Sequence, residues 1–454
     1  VSREGRMTLA TRVLRLALTP IVKNGSLTLI APSGEPLVFG DGTGTQVVVR
    51  VHDERALWAM LLDPDLKTGE LYTDGRLTLE RGDVLDFLSL ILRHGDEVRP
   101  GPIARAIDRL RTATQLWRQR NDPDRAQRNV AHHYDLGDAL YRLFLDPDWQ
   151  YSCAYFEHPG QSLADAQLAK KRHVAAKLRL EPAHRVLDIG CGWGGLALYL
   201  AGPAGVASVL GITLSEEQVA RARDRAAALG MDGRVSFDLG DDRAVTGRFD
   251  RVVSVGMFEH VGLGNYRTFF ETCRDRLADD GLMLLHTIGC SDEPRVTNPW
   301  ITRYIFPGGH LPSLSDITKE VERSGLIVTD IEVLRLHYAE TLKAWRANFR
   351  ARRAEAEALF DERFCRMWDY YLAMSEAAFR YEKVVVFQLQ IARRQDAAPL
   401  TRNYIGQAEA RLREREIEFA AAEATPPRLR AYLRRIQRRR RTISPRTGSA
   451  FTGA

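Results

Sequence analysis

The sequence predicts an α/β protein built on a doubly wound, Rossmann-like sheet, with a small α+β domain before it and an arginine-rich helical tail after it. Three observations carry that expectation. Residues 184–340 alternate short apolar, β-branched runs with helical stretches, as strands joined by crossover helices do. At their head, RVLDIGCGWGG (Arg185 to Gly195) passes from an apolar strand into glycines and directly into the helical LALYLA. The chain of 454 residues, 44% hydrophobic and 27% charged, has the length of two or three globular domains and an ordinary globular composition.

Charge and cysteine usage narrow the class. The net charge is +6, but nine arginines and no acid lie from Arg428 onwards, so the remainder carries about 6 − 9 = −3. The basicity belongs to a tail, RLRAYLRRIQRRRR. Such a run suits either a solvated segment or an anionic partner. Leu429, Tyr432, Leu433 and Ile436 would form a partial apolar stripe on a helix, which favours an acidic lipid surface over nucleic acid. Five scattered cysteines point to a reducing compartment without a disulfide framework, and no CxxC pair suggests zinc. The sequence holds no apolar stretch of transmembrane length. MTLATRVLRLALTPIV, interrupted by Arg12 and Arg15, reads as an amphipathic helix rather than a signal peptide.

Taken in order, residues 1–95 read as a small α+β domain suited to docking. VVVRVH is a strand; ALWAMLLDPDLKTGELYTDGRLTLE is a helix, a turn and a short hairpin around Asp74-Gly75; GDVLDFLSLILRH is a helix. Residues 96–128 are a charged connector. Residues 129–160 are dense in His, Tyr and Trp, fitting either core or a lid over a ligand. Ser162 caps a helix that runs to about Leu180. The strands RVLDIG, SVLGITL, RVSFDLG, FDRVVSVG, LMLLHTIG and IVTDIEVLRLHY follow with their helices, and residues 341–420, including SEAAFRYEKVVVFQLQIARRQ, read as helical.

The carboxyl ends of such strands form a crevice where ligands bind. Gly190, Gly192, Gly194 and Gly195 let a ligand approach the backbone beside a helix N-terminus. Nucleotide, flavin and S-adenosylmethionine sites all use such strings, and so does a plain strand-to-helix turn. The second strand ends in GITLSEEQ, where Ser215 and Gln218 fit a capping box at the place a ribose or amino acid moiety would lie. The third ends near Asp241-Asp242, a partner for an adenine amino group or a solvated turn. The fourth and fifth bring Glu259-His260 and His286 to the same edge, which points to chemistry. No His-x-His spacing supports a metal.

Longer strings carry a resemblance. HHYDLGDALYRLFLD, YSCAYF, VLDIGCGWGGLALYLA, GITLSEEQ, SVGMFEHVG, LLHTIG, IFPGGHLPSL and LRLHYAETLKAW stand in the order found in the cyclopropane-fatty-acyl-phospholipid synthases and mycolic acid cyclopropane synthases, which residues 129 to about 404 resemble. The leading domain resembles that of the phospholipid-acting members. The resemblance implies a seven-stranded S-adenosylmethionine-dependent methyltransferase domain over 129–405 and a lipid-docking domain over 1–95; the helical, arginine-rich tail over 406–454 lies outside it. It implies cofactor contacts from Tyr151, Ser152, Gly190, Cys191, Gly192, Thr213, Leu214, Ser215, Gln218 and Asp241, although GDDRA lacks the tyrosine many relatives carry after the first Asp. It also implies bicarbonate as general base, held by Cys153, Glu259, His286, the Ile288 backbone and Tyr338, with Tyr134, Tyr155 and Phe156 lining an acyl tunnel. The implied partners are unsaturated phospholipid acyl chains, an anionic membrane surface and a second copy of the chain, with no nucleic acid. The implied location is the cytoplasm, at the inner face of the membrane. The reaction implied is addition of a methylene across a cis double bond; the alternative is the same methyl transfer ending in a methylene or methyl branch.

Deletion of residues 428–454 is expected to weaken binding to anionic vesicles in co-sedimentation; unchanged binding would remove the tail from the docking surface.

Overall fold

Alternation of buried and exposed side chains builds the first sheet. The computed structural model describes residues 8–94, 137–293 and 297–424; the connector 96–128, Tyr134 and the arginine-rich run lie outside them. Helix α1 (Leu9–Leu18) precedes strands β1 (Ser26–Ile30), β2 (Pro36–Phe39) and β3 (Gln46–Val51). In β3, Val47, Val49 and Val51 point inward while the intervening residues do not, a period of two that fixes which face meets the helices. Helices α2 (Glu54–Leu62) and α3 (Pro64–Thr73) then lead to β4 (Leu77–Arg81) and α4 (Val84–Leu92), and the sheet order is β2-β1-β3-β4. The hairpin expected at Asp74-Gly75 is absent. Asp53 caps α2, Pro64 opens α3 at a position where proline suits a helix, and Gly75 turns that helix into β4, which pairs with β3 instead.

After α5 (Asp138–Phe144) and α6 (Leu163–Lys177), capped by Ser162, comes the large sheet. Its elements are β5 (Arg185–Ile189), α7 (Gly195–Ala201), β6 (Ser208–Thr213), α8 (Glu216–Ala228), β7 (Val235–Leu239), β8 (Phe249–Val255), α9 (Tyr266–Arg276) and β9 (Leu277–Cys290). The second half adds α10 (Pro299–Tyr304), α11 (Leu314–Arg323), β10 (Ile327–Leu334), α12 (His337–Ala351), α13 (Arg353–Leu359), α14 (Glu362–Tyr381), β11 (Val384–Ala392) and α15 (Asn403–Ala424). The seven strands are ordered β10-β11-β9-β8-β5-β6-β7, with β11 antiparallel to both neighbours and β5 to β9 parallel.

Strand β11 corrects the helical reading of residues 341–420. Helix α14 stops at Tyr381, and Lys383 at φ 56° leaves the helical region. The run Val384–Val386 is β-branched, which suits a strand. All nine residues of β11 are buried, so no polar alternation marks it as a strand in the sequence.

The two sheets are joined through α14 and α12. Asp83 caps α4 through Asp86 N–H and accepts from Arg346 Nη1 at 2.8 Å and Arg350 Nη1 at 2.5 Å. Arg350 also reaches Asp369, which accepts from Tyr72 Oη at 3.2 Å. Gly69 of α3 sits so close to Trp300 and Tyr370 that a Cβ there would lie 2.6 Å from each ring. The backbone amide of Asp86 and both arginines hold the Asp83 carboxyl at about 2, below its ordinary 3.8. A carboxylate depressed in this way contributes stability above pH 3.8 that is lost as pH falls towards 2. Asp83→Asn keeps a capping oxygen but not the charge. It is expected to lower unfolding free energy by about 1.5–3 kcal/mol, the worth of a hydrogen bond to a charged group, and to remove that share of the acid dependence in denaturant titrations.

Candidate active site

The crevice at the end of β5 is shaped by glycine. Gly190 has φ +83°, and a Cβ on it would stand 2.6 Å from the Cβ of Met257. Gly211, on the neighbouring β6, packs its bare backbone against Phe237 and Cys191. The N–H groups of Gly190 and Cys191 both donate to Ile212 O at 2.9 Å, fixing the loop to β6, while Gly192 at φ +54° has open space beside it. The chain thus turns from strand to α7 around a cleft of about 150 Å³.

Most of the sequence-predicted cofactor contacts meet there. Tyr151, Ser152, Gly190, Cys191, Gly192, Thr213, Leu214, Gln218 and Asp241 all line it. Thr213 Oγ1 donates to Gln218 Oε1 at 2.7 Å, and Asp241 is ion-paired with Arg243 at 2.6 Å. Ser215 is not in the lining: it is buried, and its Oγ accepts from Gln218 N–H as the cap of α8. The cleft also holds Lys170 and Asp188. Lys170 Nζ donates to Gln150 Oε1 at 2.5 Å and Ser152 Oγ at 2.8 Å, and burial pulls it down to about 8. Asp188 has one buried oxygen without a partner among the described residues, and burial pushes it up to about 7. Asp188 was legible as the acid of RVLDIG; Lys170, in a highly charged helix, gave no sequence signal.

A second cavity of about 510 Å³ adjoins the cleft, with Tyr151, Ser152, Gly256 and His260 belonging to both walls. Cys153, Glu259, His286, Ile288 and Tyr338 all line it, brought from the loop before α6, the turn after β8, strand β9 and the start of α12. Glu259 Oε1 accepts from Ile288 N–H at 2.6 Å, and Oε2 is buried without a partner among the described residues. Burial raises Glu259 to about 7, against the lowering effect of the Ile288 amide. His286 Nε2 is likewise buried without a partner among the described residues, and burial drives this imidazole far below its usual range, so it is neutral. Burial also holds the Cys153 thiol protonated and pulls His260 down to about 4. Much of the remaining wall is apolar, including Ile301, Phe306, Leu311, Met374, Phe379 and Val384.

Two expectations change. The Ile288 N–H faces Glu259 rather than the open cavity, so it orients the carboxylate. Tyr155 and Phe156 do not line the acyl cavity: Tyr155 stacks between His173 and His337, with ring centroids 4.2 and 5.0 Å away, and Phe156 N–H donates to His337 Nδ1 at 3.0 Å. Phe306 and Phe379 are among the aromatic residues in that wall; Phe306 stands in the IFPGGHLPSL string, where no role was assigned to it.

Strand order, glycine cleft and adjoining cavity define an α/β methyltransferase of the S-adenosylmethionine-dependent class. Residues 121–389 match the mycolic acid cyclopropane synthetase family. The cyclopropane-fatty-acyl-phospholipid synthase of Escherichia coli K12 is 40% identical over 345 residues, covering 76% of this chain and 87% of that protein. The cyclopropane synthase MmaA2 of Mycobacterium tuberculosis superposes with a TM-score of 0.56 at 33% identity, covering 59% of this chain and 98% of that one. The mycolic acid cyclopropane synthase CmaA1, solved with S-adenosylhomocysteine, gives 0.56 at 35% identity over 58% and 97%. The chain belongs to the cyclopropane synthase family.

Gly190→Ala adds a Cβ against Met257 in a left-handed conformation. It is expected to weaken S-adenosylhomocysteine binding about tenfold or more by calorimetry, each tenfold being about 1.4 kcal/mol.

Proposed function

We propose that this protein adds a methylene from S-adenosylmethionine across the cis double bond of unsaturated phospholipid acyl chains, producing a cyclopropane ring. The observation that carries the reading is the meeting of Cys153, Glu259, His286, Ile288 and Tyr338 on the wall of a largely apolar cavity that opens beside the glycine cleft. Membership of the family supports it.

The glycine cradle and the orphaned Asp188 oxygen fit a ligand with cationic and hydrogen-bonding groups. Gly190, Cys191, Gly192, Thr213, Gln218 and Asp241 would hold the cofactor, with Tyr151 and Ser152 at its reacting end. S-adenosylmethionine supplies an electrophilic methyl group. Attack by the double bond leaves positive charge on the acyl chain, which water would trap, and the apolar walls exclude water. Ring closure then requires loss of a proton from the new methyl group.

Bicarbonate, when bound, supplies a small base. The Nε2 of neutral His286 and the Tyr338 hydroxyl fit it as donors, the Cys153 thiol, which donates to Ala154 O at 3.3 Å, would re-aim its proton to join them, and Glu259 Oε2, without a partner among the described residues, fits as the acceptor of its hydroxyl. Ile288 serves by holding Glu259 in place. The faces of Tyr338 and Phe379, centroids 4.8 Å apart, lie in the same cavity wall and suit a nearby cation.

The route to lipid is part of the same proposal. No helix among the described residues is long and apolar enough to cross a membrane. Leu9, Val13 and Leu16 form an exposed stripe on α1 beside exposed Arg12 and Arg15, which supports docking at an anionic inner membrane face. We take the acting species to be cytoplasmic and peripheral, with a homodimer as its assembly.

Mass spectrometry of lipids from cells expressing the chain tests the reaction. Unsaturated acyl chains are expected to gain the mass of one CH₂ and to resist mild hydrogenation. The same gain with the double bond retained would assign a methylene-branching enzyme, and no gain would reject lipid methylation. Glu259→Gln is expected to keep cofactor affinity and lose turnover at least about 100-fold, the scale of a proton-transfer group. Because the ionised form of Glu259 is the acceptor and its pKa is raised to about 7, wild-type turnover should fall as pH drops through that value; a pH–rate profile of both proteins checks this, the variant lacking that limb.

A further inference from the structure

The imidazole of His286 has its other nitrogen fixed by a chain of buried side chains. His286 and Gln388 are direct cross-strand partners in the antiparallel β9–β11 ladder, and Gln388 Nε2 lies 3.1 Å from His286 Nδ1. Which end of that amide faces the ring is set from the far side. Gln388 Oε1 lies 2.8 Å from Lys177 Nζ, and an ammonium has only donors, so the amide oxygen must turn to Lys177 and the amide NH₂ to His286. An NH₂ can only donate, so Nδ1 is an acceptor and the single proton of the neutral ring sits on Nε2. That nitrogen is buried, has no partner among the described residues, and belongs to a residue of the cavity wall.

Lys177 cannot turn away. It is ion-paired with Glu332 of β10, which also accepts from His173 Nε2 at 2.8 Å, while His173 Nδ1 donates to Glu409 of α15 at 2.6 Å. Lys177, Gln388, His286 and His173 are all buried. The string Glu409–His173–Glu332–Lys177–Gln388–His286 thus runs from α15 through α6 and the sheet to the cavity, each link having one chemically allowed direction.

We propose that Gln388, its amide oriented by Lys177, is a positioning residue that holds His286 as the Nε2–H tautomer, making the imidazole a hydrogen-bond donor to a small anion in the acyl cavity. The donor role rests on the bicarbonate reading above; the tautomer does not. Without the lock a neutral imidazole could place its proton on Nδ1 and turn a lone pair on the anion.

The test is nitrogen NMR of ¹⁵N-histidine-labelled full-length protein, with the His286 signals identified by their loss in His286→Asn. In the wild type Nδ1 is expected at the shift of a bare ring nitrogen and Nε2 at that of a protonated one. Gln388→Glu, nearly isosteric and beside Lys177, puts an acceptor against Nδ1 and is expected to exchange the two shifts. The same variant should keep S-adenosylhomocysteine affinity but need about tenfold or more bicarbonate for half-maximal turnover, the loss expected for one hydrogen bond to a charged group. A protonated Nδ1 in the wild type overturns the proposal, and that spectrum decides it even if the variant does not fold. Exchanged shifts with unchanged bicarbonate dependence would leave the lock standing and overturn the anion assignment.

Discussion

A carboxylate removed from water is what the rest of this structure is arranged around. Glu259 sits on a short turn after β8, with one oxygen held by the Ile288 amide of β9 and the other buried at a largely apolar cavity without a partner among the described residues. Burying such a group is costly unless something accepts its hydrogen-bonding capacity. The parallel pairing of β8 with β9 makes the first bond possible, since it brings the turn after one strand against the end of the next. The same register sets Val255 beside His286, so the acid and the imidazole reach one cavity from adjacent strands. Chemistry and sheet order are therefore one constraint.

That constraint extends outward through polar groups the interior would otherwise exclude. The last strand, β11, enters antiparallel beside β9 and carries Gln388 directly opposite His286. Lys177, Glu332, His173 and Glu409 follow, tying α6, β10 and α15 to the same point. Buried ion pairs of this kind are weak evidence for stability, because their attraction must offset the loss of hydration. Their effect here is on direction: the carboxylates can only accept and the ammonium can only donate, so each bond has one allowed sense. On the other side of the cavity, Asp83 bridges Arg346 and Arg350, binding the small sheet's helices to the helices that wall the site.

The cofactor cleft follows a different principle, absence of side chains. Gly190 and Gly211 allow β5, β6 and the Met257 and Phe237 side chains to approach until no Cβ fits between them. This geometry was visible in the sequence because glycine has few other reasons to recur so densely between an apolar strand and a helix. The strand-end residues Glu259 and His286 were visible too, as ionisable groups directly after apolar runs. Strand β11 was not. With all nine residues buried it shows no alternation, and it follows a helix with only Glu382 and Lys383 between. Losing it in the sequence also meant losing Gln388. Tyr155 and Phe156 were expected in a tunnel lining through the family resemblance; stacking of Tyr155 on His173 and His337, remote in the chain, and the bond from Phe156 N–H to His337 claimed them instead.

By itself the sequence determined the α/β alternation, the glycine cleft and the set of ionisable groups at strand ends, because these depend on periodicity, on backbone freedom and on residue type within a few positions. Tertiary structure alone decided that Ile288 orients Glu259, that Ser215, legible as a helix cap, stays out of the cleft lining, and that Phe306 and Phe379 wall the cavity. It also decided which nitrogen of His286 carries the proton. Each of these is a choice among hydrogen-bond or packing partners that lie far apart along the chain, and only closure of the sheet brings those partners within reach of one another.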